Sequence, residues 1–332
     1  MFADCQFPIA DLANVKLEIG SRQLTMNKGL NRFAIFVACA TFFLIIAGAL
    51  VTSNDAGLAT SDWPLSNGQF FPNMVGNLFY EHGHRMVATT VGLLTIALAI
   101  YIRLKEKREW IWKLALFALI GVCAQGLLGA LTVKYLLPLG VSTAHATLAQ
   151  LFFCTIVSLA VFTSRSWMEA QPLEEEKGTL PLRYLCTVAL LTIFLQLVIG
   201  ATLRHSATWS QHLPLQLILA HIGGAVAVTI ALGAAALTTL RRHRDEPFLT
   251  RPAMIALGLL GLQLCLGIAA YVARLASPND PQPLNPMISI TVAHVACGAL
   301  VFVTTIVLTL RTYRVLPGAI ESGEWNATPQ ES

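Results

Sequence analysis

Four histidines, His84, His145, His221 and His294, each stand inside a long apolar stretch of the chain. A histidine placed in hydrocarbon is costly, and it either bonds to a neighbouring helix or marks a functional site. For one histidine alone the two explanations weigh about equally. Four at similar depth, falling in two pairs, favour ligation. Neutral imidazole is a good axial ligand for heme iron, and facing histidines in a four-helix bundle can clamp a flat porphyrin between helices. One heme would then lie between His84 and His145 and a second between His221 and His294. Zinc is a weaker alternative, because two histidines without a nearby cysteine or acidic pair supply too few ligands.

Heme also carries two carboxylates that must reach cations or water. Arg85, Lys134, Arg204 and Arg274 each stand near the level of the histidines, as propionate partners or as side chains reaching for lipid headgroups. The two pairs differ chemically. Glu81 lies three residues before His84, on the same helical face, whereas Ile218 holds that position before His221, and His82 corresponds to Leu219. A carboxylate beside one pair alone suggests that the first half does chemistry and the second stores or relays electrons, unless Glu81 is merely solvated. The segment 53–82 before it contains Asp62-Trp63-Pro64-Leu65-Ser66-Asn67-Gly68, with Phe70 and Phe71 close behind. It reads as a long outer loop that could cover the first site, with Trp63 either part of that lid or an interfacial anchor.

The elements that hold these residues follow from composition. Of 332 residues, 55% are apolar and only 12% charged, so the bilayer is the solvent. Stretches long enough to span it fall at 33–52, 84–103, 112–133, 143–163, 183–203, 214–238, 253–273 and 288–310. This predicts an all-α polytopic membrane protein of eight transmembrane helices. The acidic residues Asp4, Asp11 and Glu18 argue against a cleaved signal or an organellar transit peptide. The seven cysteines lie mostly within spans and show no metal-finger spacing, so they read as small packing residues. All of the 22 basic residues except Arg85, Lys134, Arg204 and Arg274 fall on one side, which places both termini in the cytoplasm and leaves no clustered patch for nucleic acid.

The spans also repeat. Gln125 and Gly129 recur as Gln196 and Gly200 and again as Gln263 and Gly267, and Ser142-Thr143-Ala144-His145 is echoed by Thr291-Val292-Ala293-His294. Ordinary membrane packing accounts for these residues: the small ones let helices approach closely, and each glutamine could satisfy its amide across a helix pair. Two pseudo-repeated four-helix bundles are therefore expected: a cytoplasmic tail at 1–32, a first bundle at 33–164, a cytoplasmic linker at 165–182, a second bundle at 183–312 and a tail at 313–332.

Taken in order, Gly57-Leu58, Asp62-Trp63-Pro64-Leu65, Asn67-Gly68, the Glu-x-x-His-Arg string of Glu81, His84 and Arg85, and the Ser-Thr-Ala-His string ending at His145, together with His221 and His294, resemble the heme A synthase family of bacteria and mitochondria. The resemblance spans nearly all of 33–312. It implies heme b as a cofactor ligated by His221 and His294, with Arg204 and Arg274 near its propionates. It implies heme O as a substrate handled by His84 and His145, with Arg85, Lys134 and Trp63 around it, and oxidation of the C8 methyl of heme O to a formyl group through an alcohol. Glu81, with His84 and His145, becomes the catalytic group, stabilising positive charge at the oxidised carbon or shuttling protons. The resemblance further implies a bacterial plasma (inner) membrane, an electron donor it does not identify, and heme O synthase and cytochrome oxidase assembly factors as partners.

One departure matters. A well-known bacterial pattern has cysteines flanking the Asp-Trp-Pro-Leu loop and a second pair between spans 5 and 6, but here Thr60 and Ser66 stand near the first places and 204–213 holds none. A thiol mechanism in these loops is thus closed to this chain. Two rival readings use the same histidines: a diheme electron-transfer cytochrome, and a heme transporter or assembly chaperone.

Overall fold

A computed structural model describes residues 27–173, 180–209, 214–276 and 285–316. Most of both expected tails, part of the expected linker and most of the Pro-rich 275–287 connection lie outside the described residues. Eight helices are long and apolar enough to cross a membrane. They are α1 (Lys28–Ser53), α2 (Asn77–Lys105), α3 (Glu109–Lys134), α4 (Leu139–Phe162), α5 (Leu182–Trp209), α6 (Leu215–Arg242), α7 (Pro247–Ala276) and α8 (Asn285–Val315). Among the described residues the remaining regular structure is one helical turn, Arg165–Met168, and a single bridge between Ser66 and Gln69. Helices prevail because each satisfies its own backbone polar groups, which hydrocarbon cannot do.

Hydropathy places the start of the second span at 84, but α2 begins seven residues earlier, at Asn77. The polar string Glu81-His82-Gly83-His84 breaks the apolar run without breaking the helix, since Glu81 and His82 are buried beneath the preceding loop. The connection before α2 is correspondingly shorter, 54–76 rather than 53–82.

Helix α1 packs on α2 and α4, and α3 packs on the same two. Likewise α5 and α7 each pack on α6 and α8. The two rings meet where α4 touches α5 and α8 and where α1 touches α8. Leu30 and Val37 of α1, Leu98 and Ile102 of α2, Ile156 and Leu159 of α4, Leu232 of α6 and Leu308 of α8 are buried in the interior. Phe36, Phe43, Ile96, Ile100, Leu127, Leu191 and Ile268 face outward, an apolar surface that lipid covers.

The basic end is tied together by arginines that bond backbone carbonyls. Arg108 donates to the carbonyl of Phe162 at the end of α4, Arg311 to that of Phe248 in α7, and Arg183 to those of Tyr313 and Leu316 at the end of α8. The carbonyls of Phe162, Tyr313 and Leu316 lie at helix C-termini, where orphan carbonyls and positive side chains suit one another by charge as well as by hydrogen bonding, whereas Phe248 lies in the first turn of α7.

Candidate functional site

The four histidines project from α2, α4, α6 and α8, each within the first third of its helix and so toward the end opposite the arginine ties. Every one of these rings lies against a glycine of the helix that precedes it. A Cβ added at Gly48 would meet His84 Cε1 at 3.1 Å, at Gly129 it would meet His145 Cε1 at 3.4 Å, at Gly200 His221 Cε1 at 2.9 Å, and at Gly267 His294 Cε1 at 3.1 Å. The glycines therefore do more than let helices approach, because they make the space the imidazoles occupy. Gly48 carries no sequence echo in the Gln/Gly pattern, and only the fold reveals it as the fourth.

The glutamines one turn before three of these glycines also touch the histidines. Gln125 Nε2 donates to the backbone carbonyl of His145 at 3.0 Å. Gln196 Nε2 donates to the carbonyl of His221 at 2.8 Å and lies 3.1 Å from its Nδ1. Gln263 Nε2 lies 3.3 Å from Nε2 of His294. In the first half, Nδ1 of His84 and Nδ1 of His145 are buried without a partner. These are the cross-helix amide bonds the sequence suggested for the glutamines, and the fold adds that their partners are the histidines.

His221 and His294 face one another with ring centroids 6.3 Å apart and planes 70° from parallel. Two metal–nitrogen bonds of about 2 Å, extended at each end by a ring radius of about 1 Å, span about the same distance. The pair thus fits an iron between its two imidazoles. His84 and His145 are near enough to interact electrostatically. Among the described residues no three His, Cys, Asp or Glu side chains converge, so the donors come in imidazole pairs, which suits a porphyrin that supplies four nitrogens itself.

Beside His84 the polar residues of α2 fasten the outer loop. Glu81 is 4% exposed. Its carboxylate accepts from the Thr60 amide at 3.1 Å and pairs with Arg85 one turn on. Arg85 Nη1 in turn donates to the carbonyls of Asp62 (2.9 Å) and Leu65 (2.6 Å) and to Ser66 Oγ (3.2 Å). His82 is buried with Nδ1 2.9 Å from Ser66 Oγ and Nε2 3.1 Å from the Phe70 carbonyl. Within the loop, the Asp62 carboxylate accepts from the Thr60 hydroxyl and from the amides of Asn67 (2.9 Å) and Gly68 (2.8 Å). Those donors, the Thr60 hydroxyl foremost, hold the Asp62 carboxyl well below the usual carboxylate range. The two hydroxyl residues at the places of the family's cysteines are thus buried anchors of this loop.

The remaining residues singled out by sequence spread around the same end. Arg204 donates to Ser53 Oγ at 2.6 Å, joining α5 to the last residue of α1. It also interacts electrostatically with His294. Arg274 is half-buried near the end of α7. Lys134 is exposed, its Nζ 5.8 Å from the ring centroid of Tyr135. Trp63 is half-exposed on the loop, and Phe70 and Phe71 are exposed. His205, which the sequence reading passed over, interacts electrostatically with both Arg204 and His145. Its position directly after an outer-end arginine was the one available signal.

Comparison with known proteins finds relatives along most of the chain. Proteins named Heme A synthase from Geobacillus kaustophilus and Bacillus licheniformis are each 26% identical to this chain. The first alignment covers 92% of this chain and 99% of the relative, and the second 75% and 88%. A protein of the same name from Caulobacter sp. is 30% identical over 42% of this chain and 45% of its own length. The profile of the COX15-CtaA family, cytochrome oxidase assembly protein, matches residues 9–80 and 74–306. A match over most of the chain, in a protein of eight membrane-crossing helices, places it in that family: the chain belongs to the COX15-CtaA cytochrome oxidase assembly proteins.

Proposed function

We propose that this protein is a heme A synthase: it oxidises the C8 methyl group of heme O, through an alcohol, to the formyl group of heme A, which terminal oxidases use. The observation that carries the reading is the inequality of two imidazole pairs on one fold. His221 and His294 oppose each other with no acidic neighbour one turn away, as a resident electron-transfer heme requires. The first pair instead has a buried carboxylate, Glu81, about one turn before His84 on α2, as a site of chemistry would use.

In this reading His221 and His294 would hold heme b through their imidazoles, and His84 and His145 would ligate or position the substrate, heme O. The bound heme b supplies electron transfer. Arg204 and Arg274 lie within reach of the level at which propionates of the second heme need cations, and Arg85 and Lys134 serve the first. Arg85 is already committed to Glu81 and to the loop, so it acts on the substrate while holding the loop in register. Glu81 is poised against the Arg85 guanidinium, where it can accept a proton from the reacting carbon's substituent or stabilise positive charge there. The 54–76 loop, stitched to α2 through Glu81, His82 and Arg85, keeps water from that carboxylate.

Helix ends rich in Lys and Arg face the cytoplasm by the positive-inside rule, which places the histidines at the outer side of a bacterial inner membrane and both termini inside. Two four-helix halves related by internal repetition explain why the histidines recur on even-numbered helices. The test is genetic and spectroscopic. His221→Ala and His294→Ala should remove the low-spin heme b spectrum, whereas Glu81→Ala should retain it and stop turnover. An unaltered spectrum in both histidine variants would contradict the assignment.

A further inference from the structure

The two histidine pairs differ in what holds their rings. In α5 and α6 the contact is reciprocal: the His221 ring lies on Gly200, and the Gln196 amide lies on Gly224, so close that a Cβ there would overlap Oε1. Gln196 Nε2 meets both the carbonyl and Nδ1 of His221. In α7 and α8 the same pairing recurs with His294 on Gly267 and Gln263 on Gly298, where a Cβ would stand 3.2 Å from Nε2. The first half lacks it. Gln125 Nε2 reaches the backbone carbonyl of His145 rather than its ring, and Leu44 stands where a glutamine would precede Gly48, so no glutamine amide meets the ring of His84 or His145.

Ligation of a metal through Nε2 uses that lone pair and puts the ring proton on Nδ1. A ligating histidine whose Nδ1–H has an acceptor is fixed in tautomer and ring plane and is a more basic ligand. Gln196 serves His221 in this way once its amide turns by about 180°, because the group now at Nδ1 is the donor Nε2, which also donates to the His221 carbonyl. Its amide carries both a donor and an acceptor, its nitrogen is at Nδ1, and its oxygen is buried with no partner. Gln263 stands instead at Nε2 of His294, so ligation there shifts that amide or uses Nδ1, which is buried and unpartnered.

We propose that Gln196, seated on Gly224, is a positioning residue that fixes the His221 imidazole and makes the C-terminal pair retain its heme, while the glutamine-free rings of His84 and His145 leave the N-terminal pair free to take up and release one. This rests on the assignment of heme ligation to these histidines. It adds the reason that one site keeps a cofactor and the other exchanges a substrate.

The test uses full-length protein purified in detergent, with heme content, low-spin electron paramagnetic resonance and midpoint potential as readouts. Gln196→Leu removes the amide. Gly224→Ala displaces it without altering either ligand. Gly223→Ala adds a methyl group to open space on the same turn and is the control. The first two should bind heme b about ten- to a hundredfold more weakly. They should also broaden the low-spin signal and raise the potential, since a less basic ligand stabilises ferric iron less. Gly223→Ala and Gln125→Leu should leave all three readouts at parental values. Parental heme content, signal and potential in both Gln196→Leu and Gly224→Ala would overturn the proposal. A low-spin signal surviving His221→Ala would instead overturn the ligand assignment beneath it. Should Gln196→Leu fail to accumulate, Gly224→Ala alone decides.

Discussion

Arg204, on α5, donates a hydrogen bond to Ser53 Oγ at 2.6 Å, the last residue of α1, so a cation of the second half is seated on the first. Among the described residues no carboxylate pairs with it. A charge so placed needs an anion, and under the proposed function a heme propionate would supply it. Removing the hydroxyl with Ser53→Ala should cost about 1–3 kcal/mol of stability, because it leaves a buried donor short of a partner. It should leave heme content unchanged. Arg204→Gln should lower heme content as well as the melting temperature, and the two variants are compared by thermal unfolding and pyridine hemochrome assay.

Glu81→Gln retains an acceptor for the Thr60 amide while removing the charge paired with Arg85. Turnover should fall about a hundredfold to ten-thousandfold, the usual contribution of a positioned proton-transfer group. The reduced spectrum of the resident heme should be unchanged. Full activity in this variant, measured as heme A formed per protein, would reduce Glu81 to a loop fastener.

The helices and the histidines were legible because hydropathy and periodicity record burial in lipid directly, and a polar imidazole stands out against it. The start of α2 was not, because Glu81 and His82 are buried by a loop rather than by lipid, and polar residues shielded that way look like solvent-exposed ones in a hydropathy window. The glutamines were visible in the sequence as a repeat, but their contacts with histidines arise between helices, at a register no single helix displays. Gly48 was invisible for the same reason: its partner, His84, is 36 residues away on the facing helix.

Asp62 organises the loop through the Thr60 hydroxyl and the amides of Asn67 and Gly68, which hold its carboxyl well below the ordinary value. A depressed carboxyl stabilises the loop above its unfolded value of about 3.9, and that stabilisation is lost only as pH falls through the lower folded value. The loop should therefore resist limited proteolysis equally from pH 5 upward. Asp62→Ala should be cleaved between 57 and 72 throughout that range. Rising cleavage of the parent protein between about pH 7 and pH 5 would contradict this account.

Gly48→Ala and Gly200→Ala press on histidines of different pairs, His84 and His221. The first should slow turnover and spare the resident heme spectrum. The second should shift that spectrum. If both altered only the stability of the protein, measured by thermal unfolding, the glycines would be packing residues and no more.

The central claim is that this fold converts heme O to heme A, and the most direct measurement is the heme composition of membranes that contain the protein and heme O. Acid–acetone extraction followed by chromatography should yield heme A, with the Glu81→Gln protein yielding far less. Membranes that return only heme O and heme B, with the parent protein present and its low-spin heme intact, would contradict the claim.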